Sequence, residues 1–510
     1  MIFHSLEFAA FFLVTVAIYW RLPLRAQNVL LLVASYIFYG WVHPWWPVLL
    51  LITTVVDYWA ARRIAELAPH SPLPTPHSRK VWLWLSIAAN LGLLGVYKYF
   101  DFFVVNAAAA GAAVGWDIPT IALRLALPAG ISFYTFQSMS YTIDVYRGHA
   151  PARRSFIDIA AFVSFFPHLV AGPIMRATNL LPQIEQQRTF SAAAARDATV
   201  VIVWGLFKKL VIADNTGVIA NKVFALQHPD FFVLWAGVFA FAIQIYADFS
   251  AYTDIARGVA KWYGFDLIRN FERPYLAAGP ADFWHRWNIS LSTWFRDYVY
   301  IPLGGSRRGQ GRVATNLMIT FLASGIWHGA SWNYLLWGAY HGVLLIIARA
   351  AGAAWASLQA RPPTPGLRWT GKPASPQAPR WLRPLQVIAM FALTCIGWLI
   401  FRETEFSQLV ADFALAPSAS TATERSTGLY LFMLALLYSV PLWAHDLWVE
   451  LGGFDLTADI DSNTELGRRS LGEGGRWSRA VAQAALCGVL FAVILTLRSE
   501  TALNFIYFAF

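Results

Sequence analysis

Apolar blocks separated by short polar or basic connections run along most of the chain. They cover residues 8–20, 29–39, 47–56, 81–96, 200–206, 231–246, 385–400, 429–440 and 481–495. Several are shorter than the roughly 20 residues that a helix needs to span a bilayer, and they reach that length only with flanking Trp, Tyr and small residues. The pattern predicts an all-α polytopic membrane protein with about 11–13 transmembrane or re-entrant helices.

The composition agrees with a chain that is solvated mostly by lipid. Of its 510 residues, 57% are hydrophobic and 13% are charged, whereas soluble proteins carry about 25% charged residues. The two cysteines, Cys395 and Cys487, each lie alone in an apolar block. The sequence therefore predicts no disulfide framework and no metal site.

The net charge of +10 is distributed in a way that argues against a nucleic-acid partner. The basic residues gather in short connections, which are Arg21/Arg25, Arg62/Arg63 with Arg79/Lys80, Arg153/Arg154, Arg307/Arg308/Arg312 and the stretch 361–383. This clustering is the signature of cytoplasmic loops in membrane proteins. The partner it indicates is the lipid bilayer.

Two polar segments interrupt the hydrophobic pattern in the last third of the chain. Residues 358–382 are basic and Pro-rich, and residues 451–479 are polar and Gly-rich. Both predict extramembrane loops without a catalytic pattern. We expect one integral-membrane domain over residues 1–510, with its catalytic core at residues 128–349.

Broken or charged positions inside apolar stretches mark the first part of this core. The stretch "FFPHLVAGPIMR" (165–176) carries two prolines and a glycine, which predicts a re-entrant element that lines a cavity. Asp248 and Asp254 fall within another apolar stretch. Pairing with an arginine is the structural expectation for both, and involvement in function stays open.

The densest polar stretch is "DFWHRWNISLSTWFRDYVYIPLGGSRRG" (282–309), where charged residues alternate with aromatic ones. This composition suits an interfacial helix anchored at headgroup level. The turn at Gly304 and Gly305 lies beside Arg307 and Arg308, so its backbone N–H groups and positive charge could hold the phosphates of a donor. The turn matches neither a Walker A loop nor a dinucleotide fingerprint.

A histidine lies within the apolar run Leu317–Ile347, which contains no Asp, Glu, Lys or Arg. As one straight helix these 31 residues would measure about 46 Å, well beyond a hydrocarbon core of about 30 Å. The run must therefore tilt, break or form two helices, and the natural break is "SGIWHGAS" around His328. A histidine at such a break can meet a cavity and serve as a general base, although a lone histidine in a membrane segment is more often a hydrogen-bonded packing residue. His341, 13 residues later, reads as a packing or lining residue.

Together these motifs resemble the membrane-bound O-acyltransferase (MBOAT) superfamily, in particular its alginate O-acetyltransferase branch. The resemblance rests on "FWHRWNISLSTWFRDYVYIPLGGSRRG", "WHGASWNYLLWGAYHG", "SFYTFQSMSYTIDVYRG", "FFPHLVAGPI" and the closing "NFIYFAF". It implies the MBOAT fold, in which many helices surround a central funnel. It also implies transfer of an acetyl group from cytoplasmic acetyl-CoA across the bacterial inner membrane, with no bound cofactor. A periplasmic or membrane-anchored acetyltransferase partner then modifies a secreted or cell-wall polysaccharide.

The resemblance assigns roles to several residues and shows one departure. His328 of the "WHG" motif corresponds to the catalytic histidine of the family. Close relatives usually carry a histidine where this chain has Asn288, and His285 stands three residues earlier. An asparagine cannot exchange protons, so Asn288 would act by hydrogen bonding a carbonyl or the imidazole. We expect His285 to lie one turn back on the same helix face, where it could partly substitute for the missing imidazole.

Four neighbouring residues complete the set of candidate catalytic or lining residues. They are Trp327, Ser331, Arg296 and Asp297. The hypothesis for the reaction is that His328 acts as general base while Asn288 or a backbone N–H stabilises the oxyanion; an acyl-imidazole at His328 is the variant. Alternatives to acetyl transfer are D-alanyl transfer from a carrier protein to teichoic acid, a proton-coupled transporter, and an inactive scaffold for the partner.

Overall fold

Helices form nearly all of the regular structure in the computed structural model, which describes residues 1–67, 76–307, 309–358, 380–457, 473–501, 503 and 505. The helices of the first half are α1 (Leu6–Tyr19), α2 (Leu24–Gly40), α3 (Trp46–Glu66), α4 (Pro76–Leu94), α5 (Phe100–Ala113), α6 (Ile131–Arg147), α7 (Phe156–Ser164), α8 (Phe166–Leu169), α9 (Ala177–Glu185), α10 (Ala192–Phe207), α11 (Asp214–Phe224) and α12 (Phe231–Trp262). Those that follow are α13 (Pro280–Arg286), α14 (Ile289–Phe295), α15 (Gln310–His328), α16 (Trp332–Leu358), α17 (Arg383–Arg402), α18 (Phe406–Ala414), α19 (Ala422–Glu450) and α20 (Glu473–Leu497). The described residues contain no strand.

Six stretches within the described residues are long and apolar enough to cross a membrane. They are Ser78–Ala113, Phe231–Trp262, Trp332–Ala354, Arg383–Arg402, Ala422–Glu450 and Ala480–Leu497. The all-α polytopic class predicted from the sequence is therefore confirmed. The remaining helices among the roughly 11–13 expected are shorter or more polar; α1, for example, is apolar but has only 14 residues.

The chain divides into two compact units. The first unit comprises Met1–Phe207, Phe249–Ile268 and Leu456–Leu497, and the second comprises Lys208–Asp248, Arg269–Asp455 and Arg498–Phe510. The single domain and the 128–349 core expected from the sequence stay predictions.

A buried carboxylate ties three helices of the first unit together. Asp57 of α3 is completely buried. It accepts hydrogen bonds from Ser86 and Asn90 of α4 and from Ser138 and Thr142 of α6. These donors replace the water that the carboxylate loses on burial, as a polar group in an apolar core requires.

The stretch predicted to break, 165–176, does interrupt its helix in the first unit. The four-residue α8 ends at Leu169, and Gly172 packs so tightly on His168 that a Cβ there would lie 2.4 Å from the His168 Cα. A narrow crevice, without room for a water molecule, runs beside this break. Its lining residues are Phe133, Tyr134, Gln137, Val163, His168, Leu169, Gly172, Pro173 and Ile174.

In the second unit, α15, α16 and α17 run antiparallel to one another in sequence order. Gln310 at the start of α15 accepts a hydrogen bond from Arg349 on α16 at 3.2 Å. Near the opposite end of α16, Asn333 donates to the carbonyl of Glu403, which follows α17. One end of this three-helix group thus carries Gln310, Arg349 and the α17 start, and the other end carries His328.

The acidic residues and loops singled out in the sequence have defined places. Asp254 pairs with Arg257 at 3.6 Å, as expected, whereas Asp248 pairs with a lysine, Lys209, at 3.0 Å. Of the two predicted loops, residues 359–379 and 458–472 lie outside the described residues. Residues 473–479 of the second predicted loop belong to α20.

Candidate active site

His328 is the last residue of α15, at the break between two helices. The apolar run Leu317–Ile347 forms two helices rather than one, since α15 ends at His328 and α16 begins at Trp332. Ser331 precedes α16, and its Oγ accepts the backbone N–H of Asn333 at 3.3 Å. The sequence prediction of a break at this histidine is confirmed, and Ser331 serves the start of α16.

Glycines bring α15 and α16 close together just before this break. A Cβ on Gly325 would lie 2.2 Å from the carbonyl oxygen of Tyr334, and one on Gly338 would lie 2.3 Å from that of Phe321. Small residues allow such close backbone approach between membrane helices. The approach fixes the height of His328, one turn beyond Gly325, relative to α16.

Aromatic rings surround the imidazole of His328, which is only 5% exposed. The ring centroids of Trp327 and Trp337 each lie 4.9 Å away, and that of Phe401 lies 5.1 Å away, all edge-on. Trp327, a sequence candidate, is itself buried against His328. Walls of this kind exclude water, which strengthens electrostatic interactions inside a site.

Asn288 is buried with an unusual backbone and an unpaired side chain. It precedes α14 with φ 40° and ψ 57°, a left-handed conformation that asparagine adopts more readily than most residues. The residue is 1% exposed. Within the part of the chain that the structure describes, neither its Nδ2 nor its Oδ1 has a hydrogen-bond partner. A buried polar group without a partner is costly, so this carboxamide is suited to bind something else.

Asn270 holds this turn in place, and sequence reasoning missed it. Its backbone carbonyl accepts the N–H of Ile289 at 2.9 Å, and its side-chain Oδ1 accepts the N–H of Ser290 at 3.0 Å. Both are first-turn N–H groups of α14 that have no partner within the helix. The signal was hidden because the capping residue lies 18 positions before Asn288.

The residue before Asn288 belongs to the aromatic cluster around His328. Trp287 lies 4.9 Å from Trp398, which lies 5.7 Å from Phe401, which in turn packs on His328. The chain therefore enters the Asn288 turn from this aromatic core of the second unit.

Three further sequence candidates are more exposed than His328 and Asn288. His285 is exposed, and its Nδ1 lies 2.5 Å from the carbonyl oxygen of Ala281 in its own helix. The expectation that it shares a helix face with Asn288 is wrong, because α13 ends at Arg286 and Asn288 begins a new turn. Arg296 and Asp297 are half-buried and pair with each other at 2.8 Å.

The glycine turn at 304–305 differs from the phosphate cradle predicted for it. The N–H of Gly304 donates to the carbonyl of Ile301 at 3.0 Å, and that of Gly305 donates to the carbonyl of Tyr300 at 2.9 Å. These N–H groups are therefore already used inside the turn and cannot cradle phosphates. Arg307 is exposed beside the turn, and Arg308 lies outside the described residues.

Glu450, the last residue of α19, gathers three arginines that sequence reasoning did not connect. Its carboxylate accepts hydrogen bonds from Arg273 at 2.9 Å, from Arg286 at 3.1 Å and from Arg383. Arg286 also pairs with Asp282 at 2.8 Å. The network fixes α13, which leads into Asn288, against α17 and α19.

Comparison with known proteins gives a consistent result. The model of the membrane-bound O-acyltransferase family matches residues 29–371. The probable alginate O-acetylase of Pseudomonas putida is 35% identical over 519 aligned positions, covering 100% of both chains. That of Azotobacter vinelandii is 40% identical over 79% of this chain and 75% of its own. The peptidoglycan O-acetyltransferase of Helicobacter pylori is 35% identical over 65% of this chain and 67% of its own.

The family match covers α15 and α16 and includes both Asn288 and His328. It also agrees with the helical, membrane-spanning character of the described residues. An acyltransferase uses an acyl donor, so an enzymatic role follows from membership. The chain belongs to the membrane-bound O-acyltransferase family.

Proposed function

We propose that this enzyme transfers an acetyl group from cytoplasmic acetyl-CoA across the bacterial inner membrane. The group passes to a periplasmic or membrane-anchored acetyltransferase, which places it on hydroxyls of a secreted or cell-wall polysaccharide. The observation that carries the proposal is the place of His328. It is a buried imidazole at a helix break, ringed by aromatic side chains, within the region that the family model matches.

The choice of an acetyl group is supported by the relatives. The Pseudomonas putida protein, which aligns over its full length, is named as an alginate O-acetylase, and the Helicobacter pylori relative as a peptidoglycan O-acetyltransferase. The two names share the acetyl group and differ in the polymer. Acetyl transfer is therefore the common element, and the polysaccharide remains the variable one.

The direction of transfer is supported by charge along the α15–α17 group. Arg307 and Arg312 flank the start of α15, and Arg383 begins α17, so the positive-inside rule assigns this end to the cytoplasm. His328 lies at the other end of α15, about 27 Å away at 1.5 Å per residue. A donor that enters from the basic side therefore meets the imidazole in the far half of the bilayer.

The chemistry proposed for His328 is general base catalysis. The imidazole takes the proton from the acceptor hydroxyl while the hydroxyl oxygen attacks the thioester carbonyl carbon. The C–S bond then breaks, and the proton passes from the imidazolium to the departing thiolate, which leaves as a thiol. The unpaired carboxamide of Asn288 hydrogen-bonds a carbonyl of the acyl donor.

The test uses inside-out inner-membrane vesicles from producing cells that contain the full-length protein. Acetyl-CoA carrying a labelled acetyl group is added outside, and label is measured in lumenal polymer and protein. We expect label to accumulate inside the vesicles only when the enzyme is present. Labelling from a D-alanyl carrier protein instead of acetyl-CoA would contradict the proposed donor and favour teichoic acid D-alanylation.

A further inference from the structure

The imidazole of His341 is buried among aromatic side chains of two segments of the second unit. It lies on α16 one turn beyond Trp337 and is 1% exposed. Its ring centroid lies 4.8 Å from that of Trp337, 5.1 Å from that of Trp284 and 5.2 Å from that of Tyr340. Phe283 stacks parallel to it at 6.3 Å. The imidazole is thus confined on several sides at once.

Trp337 connects His341 to His328. Its indole meets His341 at an interplanar angle of 67° and meets His328 at 83°, with centroid separations of 4.8 and 4.9 Å. Phe401 contacts Trp337 at 5.4 Å and His328 at 5.1 Å. Because Trp337 is 1% exposed and interiors are close-packed, a displacement of the His341 ring moves the indole against His328.

Gly397 on α17 gives the His341 ring its room. A Cβ at position 397 would lie 2.9 Å from Nε2 and 3.4 Å from Cε1 of His341, and 3.4 Å from Cε1 of Tyr340. Side-chain carbons are essentially never found that close. Since Trp337, Trp284 and Tyr340 hold the imidazole from other directions, a methyl group here cannot be accommodated by a small rotation.

We propose that His341 is a positioning residue that sets, through Trp337, the orientation of the His328 imidazole, and that Gly397 is the small residue this arrangement requires. The role rests on the proposed action of His328 as general base. It assigns His341 no contact with substrate. The reason that a small displacement matters is geometric, since misplacing a catalytic group by about 1 Å can cost a factor of about 10² in rate.

The test measures acetyl transfer from acetyl-CoA by the full chain in inside-out membrane vesicles that contain the acceptor, with rates expressed per enzyme molecule. Gly397→Ala is expected to lower kcat by roughly 10- to 100-fold with KM for acetyl-CoA unchanged. The matched control is Gly352→Ala on α16, where an added Cβ meets nothing within 4 Å. The acid limb of the pH profile should also move in Gly397→Ala, because the packing around the His328 imidazole changes. A lower kcat with an unmoved acid limb would mean that fewer molecules are folded. That result would overturn the positioning role of His341.

A double variant separates positioning from general damage. His341→Ala removes the ring that the added methyl group meets, so His341→Ala/Gly397→Ala should turn over no more slowly than His341→Ala. If the losses of kcat in the two single variants multiply in the double variant, the positioning role of His341 is overturned. If His328→Ala abolishes turnover while Gly397→Ala matches Gly352→Ala, the positioning role alone fails. If His328→Ala keeps its turnover, the proposed function fails as well.

Discussion

Asp57 in α3 and Asn288 before α14 are both buried, yet their hydrogen bonding is opposite. The Asp57 carboxylate accepts hydrogen bonds from four side chains on two neighbouring helices. The Asn288 carboxamide has no partner for either polar atom within the described part of the chain. The Asp57 carboxylate has its hydrogen-bond donors within the fold, whereas the Asn288 carboxamide can still form hydrogen bonds with another molecule.

The difference separates a structural polar group from one that is available to a ligand. The large majority of buried polar side-chain atoms in proteins are paired, and each exception calls for an explanation. Removing Asp57 leaves four donors without an acceptor, so it is expected to affect stability. Removing the Asn288 side chain leaves no described protein group unpaired, so it is expected to affect activity far more than stability.

The largest expected effect in this comparison is on catalysis. Asn288→Ala should lower kcat for acetyl transfer by about 10²-fold, the usual cost of losing one hydrogen-bond donor to a developing negative charge. Its melting temperature in nanodiscs should fall only slightly, because an alanine is strained at φ 40° but the capping bonds from Asn270 go to the backbone and remain. A variant with wild-type kcat would show that the carboxamide binds nothing in the reaction.

The reverse behaviour is expected for the carboxylate. Asp57→Ala should lower the free energy of unfolding by about 2–4 kcal/mol, since buried donors lose their acceptor. The measurement is thermal unfolding in detergent, with turnover normalised to folded protein and expected to be unchanged. The matched control is Asp117→Ala, an exposed aspartate outside the helices. Equal melting of the two variants would contradict the structural role of Asp57.

The smallest effect is expected at His285, which lies close to Asn288 in sequence but points elsewhere. His285→Ala should change kcat by less than about twofold, because surface substitutions away from a site are usually within about 0.5 kcal/mol. The ring is exposed, and its Nδ1 lies 2.5 Å from the carbonyl oxygen of Ala281 in its own helix. A loss comparable to that of Asn288→Ala would mean that His285 reaches the reaction after all.

The main features of the fold follow from elementary rules about apolar segments. The run Leu317–Ile347 was too long for one spanning helix, and the break falls at His328 as predicted. The interruption at 165–176 was equally visible, because proline and glycine break a helix locally. Helix lengths elsewhere were harder to predict, as in α20, which begins at Glu473 inside a segment that looked like loop.

The parts of the site that the sequence did not reveal depend on distant partners. The role of Asn270 requires knowing that residue 270 lies beside residue 289, and the role of Glu450 requires contacts across more than 160 positions. The prediction of a phosphate site at Gly304 and Gly305 failed for a related reason, because the N–H groups of both glycines donate hydrogen bonds within the turn. The proposed positioning role of His341 depends on its contacts with Trp337 and Gly397, and no spacing in the sequence indicates the contact with Gly397.

The central claim is that the His328 imidazole moves the proton in acyl transfer. The direct measurement is the rate of acetyl transfer into acceptor-containing inside-out vesicles by the His328→Ala protein. It is compared with the rate of the His228→Ala protein, in which an exposed histidine of the same unit is replaced. With equal folding of both proteins, we predict a loss of about 10²–10⁴-fold for His328→Ala, the range of general acid–base catalysis. Transfer by His328→Ala at the rate of the His228→Ala protein would contradict the account.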